Sequence, residues 1–262
     1  MKVKLLFDFF CLLCYHNNMR NLALILAFDG SGFCGWQVQP NGPTVQQSLE
    51  LAIERVTGAH SRITGCSRTD AGVHAREFVC NFHTQSNIAC TKLPAALNFY
   101  LPPQIAVCSC REAPETFHAR YDCVAKTYRY HIHNTGIRDP FLLGRATLEP
   151  FYLDANMLHA QAQAFLGTHD FTSFCAAGSS VKTHERTVTR FDVERNGNDV
   201  YFFVQADGFL YNMVRIMTGT LVDIAKGKLA PGSIPAILQA KGRTQAGVTA
   251  PPEGLMLWKV EY

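Results

Sequence analysis

The chain has 262 residues, 47% apolar and 17% charged, a balance that excludes a disordered polymer and suits one large domain or two ordinary ones. Its net charge of +3 is compatible with a polyanionic partner without requiring one, so any nucleic-acid surface must gather its cations on one face. Ten cysteines raise metal and disulfide readings, but Cys11–Cys14 is a lone CxxC and Cys108–Cys110 a CxC, with no second pair at zinc spacing. Reduced cytoplasmic thiols are the expectation. Cys80, Cys108 and Cys110 fall in alternating apolar stretches, where a free thiol serves as a small core residue.

Residues 1–18 hold an apolar run, Leu5 to Leu13, behind Lys2 and Lys4. Asp8 interrupts it, no small-residue cleavage site follows, and it is far short of the roughly 20 residues that span a bilayer. This segment reads as a dispensable extension or an upstream start, with the folded chain opening at Met19. Leu22 to Phe28 is an apolar run of strand length, stopped by Asp29-Gly30-Ser31-Gly32. The stretch Phe33 to Gln39 lacks the Gly-Lys-Ser/Thr of a phosphate loop. Thr44 and Gln47 form a capping-box pattern, and Val45, Leu49, Ala52, Ile53 and Val56 mark one face of a helix that Gly58 stops. Gly65, Ser67, Asp70 and Gly72 then crowd into a short stretch, which predicts a tight loop. That loop sets one carboxylate, Asp70, among small residues between Arg68 and His74. Taken alone, Thr69-Asp70-Ala71-Gly72 reads first as an Asx-turn, the carboxylate bonding amides two residues on. Phe78, Cys80 and Phe82 alternate as in a strand covered on one side. A short helix at Leu93–Leu97, the Pro102-Pro103 break and a strand at Ile105–Val107 complete a β–α–β–β–α–β-like, ferredoxin-like first half.

Phe117-His118-Ala119-Arg120-Tyr121 interleaves rings with a cation. It suits either stacking on unpaired bases and pairing with phosphate, or a hinge with Phe117 tucked into a core. Along the next strand Tyr128, Tyr130 and Ile132 share one face, while Thr127, Arg129, His131 and His133 share the other. The tyrosine face is ordinarily core. His131 and His133 lack a third partner for a metal and are expected to be solvated. Asp154 caps a helix that buries Met157, Leu158, Ala162, Phe165 and Leu166 and closes at Gly167. His169, Asp170 and Ser173 have the composition of a triad but no nucleophile elbow or oxyanion loop. Gly178 to Lys182 is a polar loop whose cation is suited to grip RNA. Val188–Val193 and Val200–Ala206 predict a hairpin across Asn196-Gly197-Asn198. Ala206 to Met217 opens a helix apolar nearly all round, hence buried. Its Arg215 then needs a carboxylate, Asp70 being the obvious candidate, unless it snorkels to solvent. Gly247 to Leu255 leads into a last strand, Met256–Tyr262.

The string Gly65-Cys66-Ser67-Arg68-Thr69-Asp70-Ala71-Gly72-Val73-His74-Ala75 closely resembles the signature of the tRNA pseudouridine synthase A family, with Ser67 where that family usually has Gly. Further matches follow in the family's order, over about Met19 to Tyr262. They include Asp29-Gly30 with Phe33-Cys34-Gly35-Trp36-Gln37-Val38-Gln39, Asn98 through Leu101-Pro102-Pro103 to Val107, and Phe117-His118-Ala119-Arg120. Lys126-Thr127-Tyr128-Arg129-Tyr130, His169-Asp170-Phe171 with Phe174, Ala206 to Met217, and Ala250-Pro251-Pro252-Glu253-Gly254-Leu255 complete the set.

The resemblance implies an α+β fold. Two ferredoxin-like halves, 19–113 carrying the catalytic aspartate and 114–262, have mostly antiparallel sheets that join into one platform and flank a central cleft. It implies a cytoplasmic homodimer, off the membrane, that isomerises uridine to pseudouridine at positions 38, 39 and 40 of the tRNA anticodon stem-loop, with no cofactor and no metal. It makes Asp70 the catalytic residue, a nucleophile at C1′ or a base at C2′. Arg215 would pair with Asp70 and keep it ionised by lowering its pKa. Tyr128 would lie over the target base and help remove the C5 proton. Arg68 would hold the flipped nucleotide or fill its place, and His118, Arg120, Tyr121 and Lys182 would supply further RNA contacts. Two rival classes stand beside this one. A non-catalytic RNA-binding relative should show decay at Asp70, Tyr128 or Arg215. A metal or thiol enzyme needs the ligand spacing that the cysteines lack.

Overall fold

The computed structural model describes residues 19–179 and 181–262. The expectations for residues 1–18, Cys11 and Cys14 included, lie outside the described residues. The first apolar run becomes β1 (Arg20–Phe28). It pairs antiparallel with β3 (His74–Thr84) on one side and β4 (Ile105–Ala113) on the other, while the short β2 (Thr64–Gly65) pairs with β3. Helix α1 (Val45–Thr57) buries Val45, Leu49, Ala52 and Ile53 and ends on Gly58 at φ 77. Thr44 accepts the Gln47 amide at 3.3 Å, but the exposed Gln47 side chain makes no return bond among the described residues, so half of the capping box forms. Helix α2 (Leu93–Tyr100) completes this part.

The remainder comprises β5 (Ala125–His133), β6 (Thr147–Leu148), α3 (Ala155–Ala162), β7 (Gly167–Asp170), β8 (Glu185–Asn196), β9 (Asp199–Ala206), α4 (Met213–Ala225), α5 (Ile234–Ala240) and β10 (Leu255–Glu261). One sheet runs β4-β1-β3-β10-β5-β9-β8-β7. The pairings are antiparallel except for β10 on β3 and β6 on β5. The chain's last strand therefore joins its early strands to its later ones, through Met256 beside His74 and Leu257 beside Ala75. This is the expected mixed α/β class with a mostly antiparallel platform.

Alternation in β9 shows how the sheet is covered: Val200, Phe202, Val204 and Ala206 are buried, while Tyr201, Phe203 and Gln205 are half-buried. One face packs a core and the other is partly open. On the open face, Arg76 and Arg129 stack over Trp258 with guanidinium carbons 4.2 and 4.4 Å from its ring.

Four sequence expectations need correction. Strand β3 is covered on both sides, with Val79 and Asn81 buried as well as Phe78, Cys80 and Phe82. Asn81 donates to Asn21 and accepts the Ala119 amide, so the 117–119 segment lies over its second face. Cys108 is exposed and Cys110 half-buried, because β4 is an edge strand with an uncovered side. His131 and His133 are not solvated: both bond the same Asp199 oxygen, at 2.8 and 2.9 Å, because β9 sets Asp199 opposite His133. The expected helix at Ala206 starts at Met213. Ala206 closes β9, and a turn ending on Asn212, at φ 60 in the left-handed region, separates the two.

Candidate active site

Asp70 sits where the sequence sets its turn, between β2 and β3. The backbone closes on itself through Val73 N–H to Asp70 O at 3.2 Å, so the carboxylate is not spent on an Asx-turn. The loop is lashed to the 33–36 turn by Trp36 N–H to Thr69 O at 3.1 Å and Gly72 N–H to Phe33 O at 3.3 Å. Gly35 makes that approach possible. At φ +88 it adopts a backbone that side chains avoid, and a Cβ there would stand 2.5 Å from Thr69 O. Beneath it, Trp36 stacks on Phe78 at 4.1 Å, a buried aromatic base for the loop. His74 braces the far end: its Nδ1 accepts Gly30 N–H at 3.0 Å, which leaves Nε2–H to donate to Glu253 O at 3.1 Å. The signature histidine is thus a strut.

Arg215 reaches Asp70 from α4. Its Nη1 stands 3.5 Å from Asp70 Oδ2, at the outer edge of hydrogen bonding, so the pair acts mainly through charge. What holds the guanidinium is closer: Asn212 Oδ1 accepts Nη1 and Ala250 O accepts Nε, each at 2.7 Å. Ala250 is itself placed by α4. Thr220 accepts Gly247 N–H at 3.0 Å, Asp223 accepts Val248 N–H at 3.1 Å, and Gly219 lets the segment lie directly on the helix. Arg215 thus stays paired, as burial demands, with its side chain 14% exposed. Burial pushes the Asp70 carboxyl above its ordinary value, and the Arg215 charge opposes the rise without cancelling it. The expected direction of the arginine's pull holds. The expected net lowering does not, because desolvation is the larger effect.

Tyr128, on β5, is 5% exposed and meets Phe209 edge-on at 5.0 Å. Its hydroxyl bonds the Ser67 hydroxyl at 3.0 Å. Burial drives the phenol well above its usual pKa, the Ser67 bond draws it down, and the nearby Asp70 charge adds to the rise. Tyr128 is therefore a neutral phenol across the physiological range.

Asp70 and Tyr128 open into one cleft of about 1200 Å³. Five cations line it (Arg68, Arg120, Lys126, Lys182 and Arg186), and Asp70 is the one carboxylate among its described lining residues. Tyr121, 75% exposed, and Tyr211 present rings to the same space.

Residues 24–122 and 161–262 match the model of a family described as tRNA pseudouridine synthase. A tRNA pseudouridine synthase A of Moorella thermoacetica is 49% identical over 247 residues, covering 93% of this chain and 100% of that protein. Its counterpart in Brevibacillus brevis is 45% identical over 244 residues, with the same coverage of 93% and 100%. The chain belongs to the tRNA pseudouridine synthase family. Among solved structures, one chain of a crystallised Cbf5–Nop10–Gar1 complex aligns at TM-score 0.35 and 14% identity, covering 90% of this chain and 48% of that one.

In this synthase, folding brings Asp70, Arg68, Tyr128, Arg120, Tyr121 and Lys182 to one cleft, with Arg215 behind Asp70. His118 is not among the lining residues. Its Nδ1 accepts the Arg120 and Tyr121 amides, both at 3.2 Å, and its ring stacks under Tyr121 at 4.2 Å, so it props up an exposed ring. Phe117 packs against Tyr262 at 5.2 Å, so the two readings of the 117–121 string divide between its residues. The triad composition dissolves: Ser173 donates to Ile237 O at 2.6 Å, and the Thr172 hydroxyl and Lys241 hold the Asp170 carboxyl at about 2. Sequence reading passed over Lys126, Arg186, Asn212 and Tyr211 as site residues. Lys126 lies two residues before Tyr128 on the same strand, and Asn212 sits one turn before Arg215; the spacing offered no comparable signal for Arg186.

Proposed function

We propose that this chain isomerises uridine to pseudouridine in tRNA, at positions 38, 39 and 40 of the anticodon stem-loop. The observation that carries the reading is a lone carboxylate, backed by Arg215 and beside a buried tyrosine, in a cleft whose other charged lining residues, among those described, are five cations. Polyanionic RNA supplies the charge that such a cleft lacks. Its target base must leave the stack, at a cost of a few kcal/mol.

Asp70 Oδ1 has no hydrogen-bond partner among the described residues, so one oxygen is free for the sugar while Oδ2 faces Arg215. Ionised Asp70 attacks C1′ or takes the C2′ proton, and the C1′–N1 bond breaks. The uracil turns, C5 bonds to C1′, and the C5 proton leaves. Substrate and product are isomers, so the reaction balances without a cofactor. Tyr128 flanks the base, and Arg68, Arg120 and Lys182 hold phosphates with Tyr121 as a stacking ring. His118 acts through Tyr121. In this reading, halves 19–113 and 114–262 form the two walls of the cleft, and the protein works as a cytoplasmic homodimer. Trp258, Tyr201 and Phe203 on the open sheet face offer apolar area for a second copy.

The test is pseudouridine formation on an anticodon-arm transcript by wild type and Asp70→Asn, in matched folded preparations, with product mapped by position. Product from wild type alone, at positions 38 to 40, is expected. Product from both proteins would refute Asp70 as the catalytic group, and RNA binding without product from either would mark a binding module. Light scattering at graded concentration checks the dimer.

A further inference from the structure

The Tyr128 hydroxyl has a single hydrogen-bond partner among the described residues, the Ser67 hydroxyl at 3.0 Å. Ser67 stands on the Asp70 loop and Tyr128 on β5, so this bond ties the loop to the sheet beyond it. A second tie, Arg215 to Asp70, comes from α4. Together they set the carboxylate and the phenol against each other across the cleft.

A buried neutral phenol poses a chemical problem. It accepts a proton only if it gives up its own, and a phenol rotor without a partner points that proton in no fixed direction. Ser67 Oγ lies at hydrogen-bond distance, and Ser67 lines the cleft, where water has access. We propose that Ser67 is a positioning residue for Tyr128, orienting the phenol toward C5 of the base and taking its proton onward to water. This rests on the pseudouridine-synthase reading above. In the step, the C5–H bond breaks and a Tyr128 O–H bond forms. The former phenol proton passes to Ser67 Oγ, and the serine's own proton passes to cleft water. The C5–H electron pair becomes the C5=C6 bond, and the C6=N1 pair moves to N1, which takes a proton from water. One proton leaves and one returns.

The experiment compares wild type and Ser67→Ala in single turnovers on anticodon-arm transcripts carrying uridine or [5-²H]uridine, with RNA affinity and thermal unfolding measured in parallel. The expected result is a rate about tenfold or more lower in the variant. The hydrogen/deuterium isotope effect should be larger, because C5–H cleavage becomes limiting, with RNA affinity unchanged and a cooperative unfolding transition that still lies well above the assay temperature. In a Tyr128→Phe background, the Ser67→Ala change should add no further loss. An unchanged rate and isotope effect would overturn the proposal, as would a slower rate without a larger isotope effect, or a full additional loss in the Tyr128→Phe background. A wild type that makes no pseudouridine fails at the first measurement and overturns the underlying reading instead.

Discussion

At Asp70 two effects oppose each other, and burial outweighs the arginine. In the proposed reaction the ionised form does the chemistry, so wild-type activity should rise with pH through a midpoint above the ordinary aspartate value of about 3.9. Arg215→Met removes the opposing charge, and the midpoint should move to higher pH still; a pH–rate profile in which it stays put or falls would contradict the pairing. Stability runs the opposite way from activity. Folded Asp70 binds its proton more tightly than the unfolded chain does, so its contribution to stability falls as pH rises from the ordinary aspartate range through the folded pKa. Asp70→Asn should remove that part of the slope, read by denaturant unfolding across a pH series. Asp70, Tyr128 and Arg215 were all legible as candidate site residues in the sequence. Their ionisation was not, because desolvation depends on neighbours that arrive from elsewhere in the chain.

Helix α4 and the segment after α5 form the element that presents Arg215. Gly219 lies inside that helix, where propensity alone makes Gly→Ala stabilising by about 0.5–1 kcal/mol. Packing reverses the sign: a Cβ at Gly219 would stand 1.9 Å from Val248 O. Gly219→Ala should cost about 1–3 kcal/mol on denaturant unfolding, the usual scale of overpacking. It should also slow the reaction, because the displaced segment carries the Ala250 carbonyl that fixes Arg215. A more stable variant with full activity would show that this seam does not position the site. The sequence predicted a buried helix here and the need to pair its arginine. It also placed the start seven residues early, because apolar side chains continue through the turn that Asn212 closes.

Across the whole molecule, a net charge of only +3 is distributed so that five cations face one cleft. Removing Arg120, Lys182 or Arg186 should weaken tRNA binding similarly for different tRNA sequences and lower the slope of log affinity against log salt by about one each. Binding isotherms at several salt concentrations check this; a loss confined to one tRNA would assign the side chain to base reading. Composition allowed such a face and could not locate it, since Arg68, Arg120 and Lys182 meet only after the sheet forms.

The sequence by itself determined the family, the turn that carries Asp70, the strand that carries Tyr128, and the mixed α/β class. These are local matters of motif, alternation and turn chemistry. Tertiary structure decided what those residues became. Arg215 meets Asp70 across 145 positions of chain, and Ser67 meets Tyr128 across 61. His131 and His133 share Asp199 because β9 lies beside β5. Strand β3 is covered twice because a distant segment folds over it. Each of these follows from which strands become neighbours, above all from β10 closing the gap between β3 and β5. Periodicity says which face of a strand is apolar; it does not say what will lie against that face or how much water will remain there, and those two quantities set the charge states of Asp70 and Tyr128.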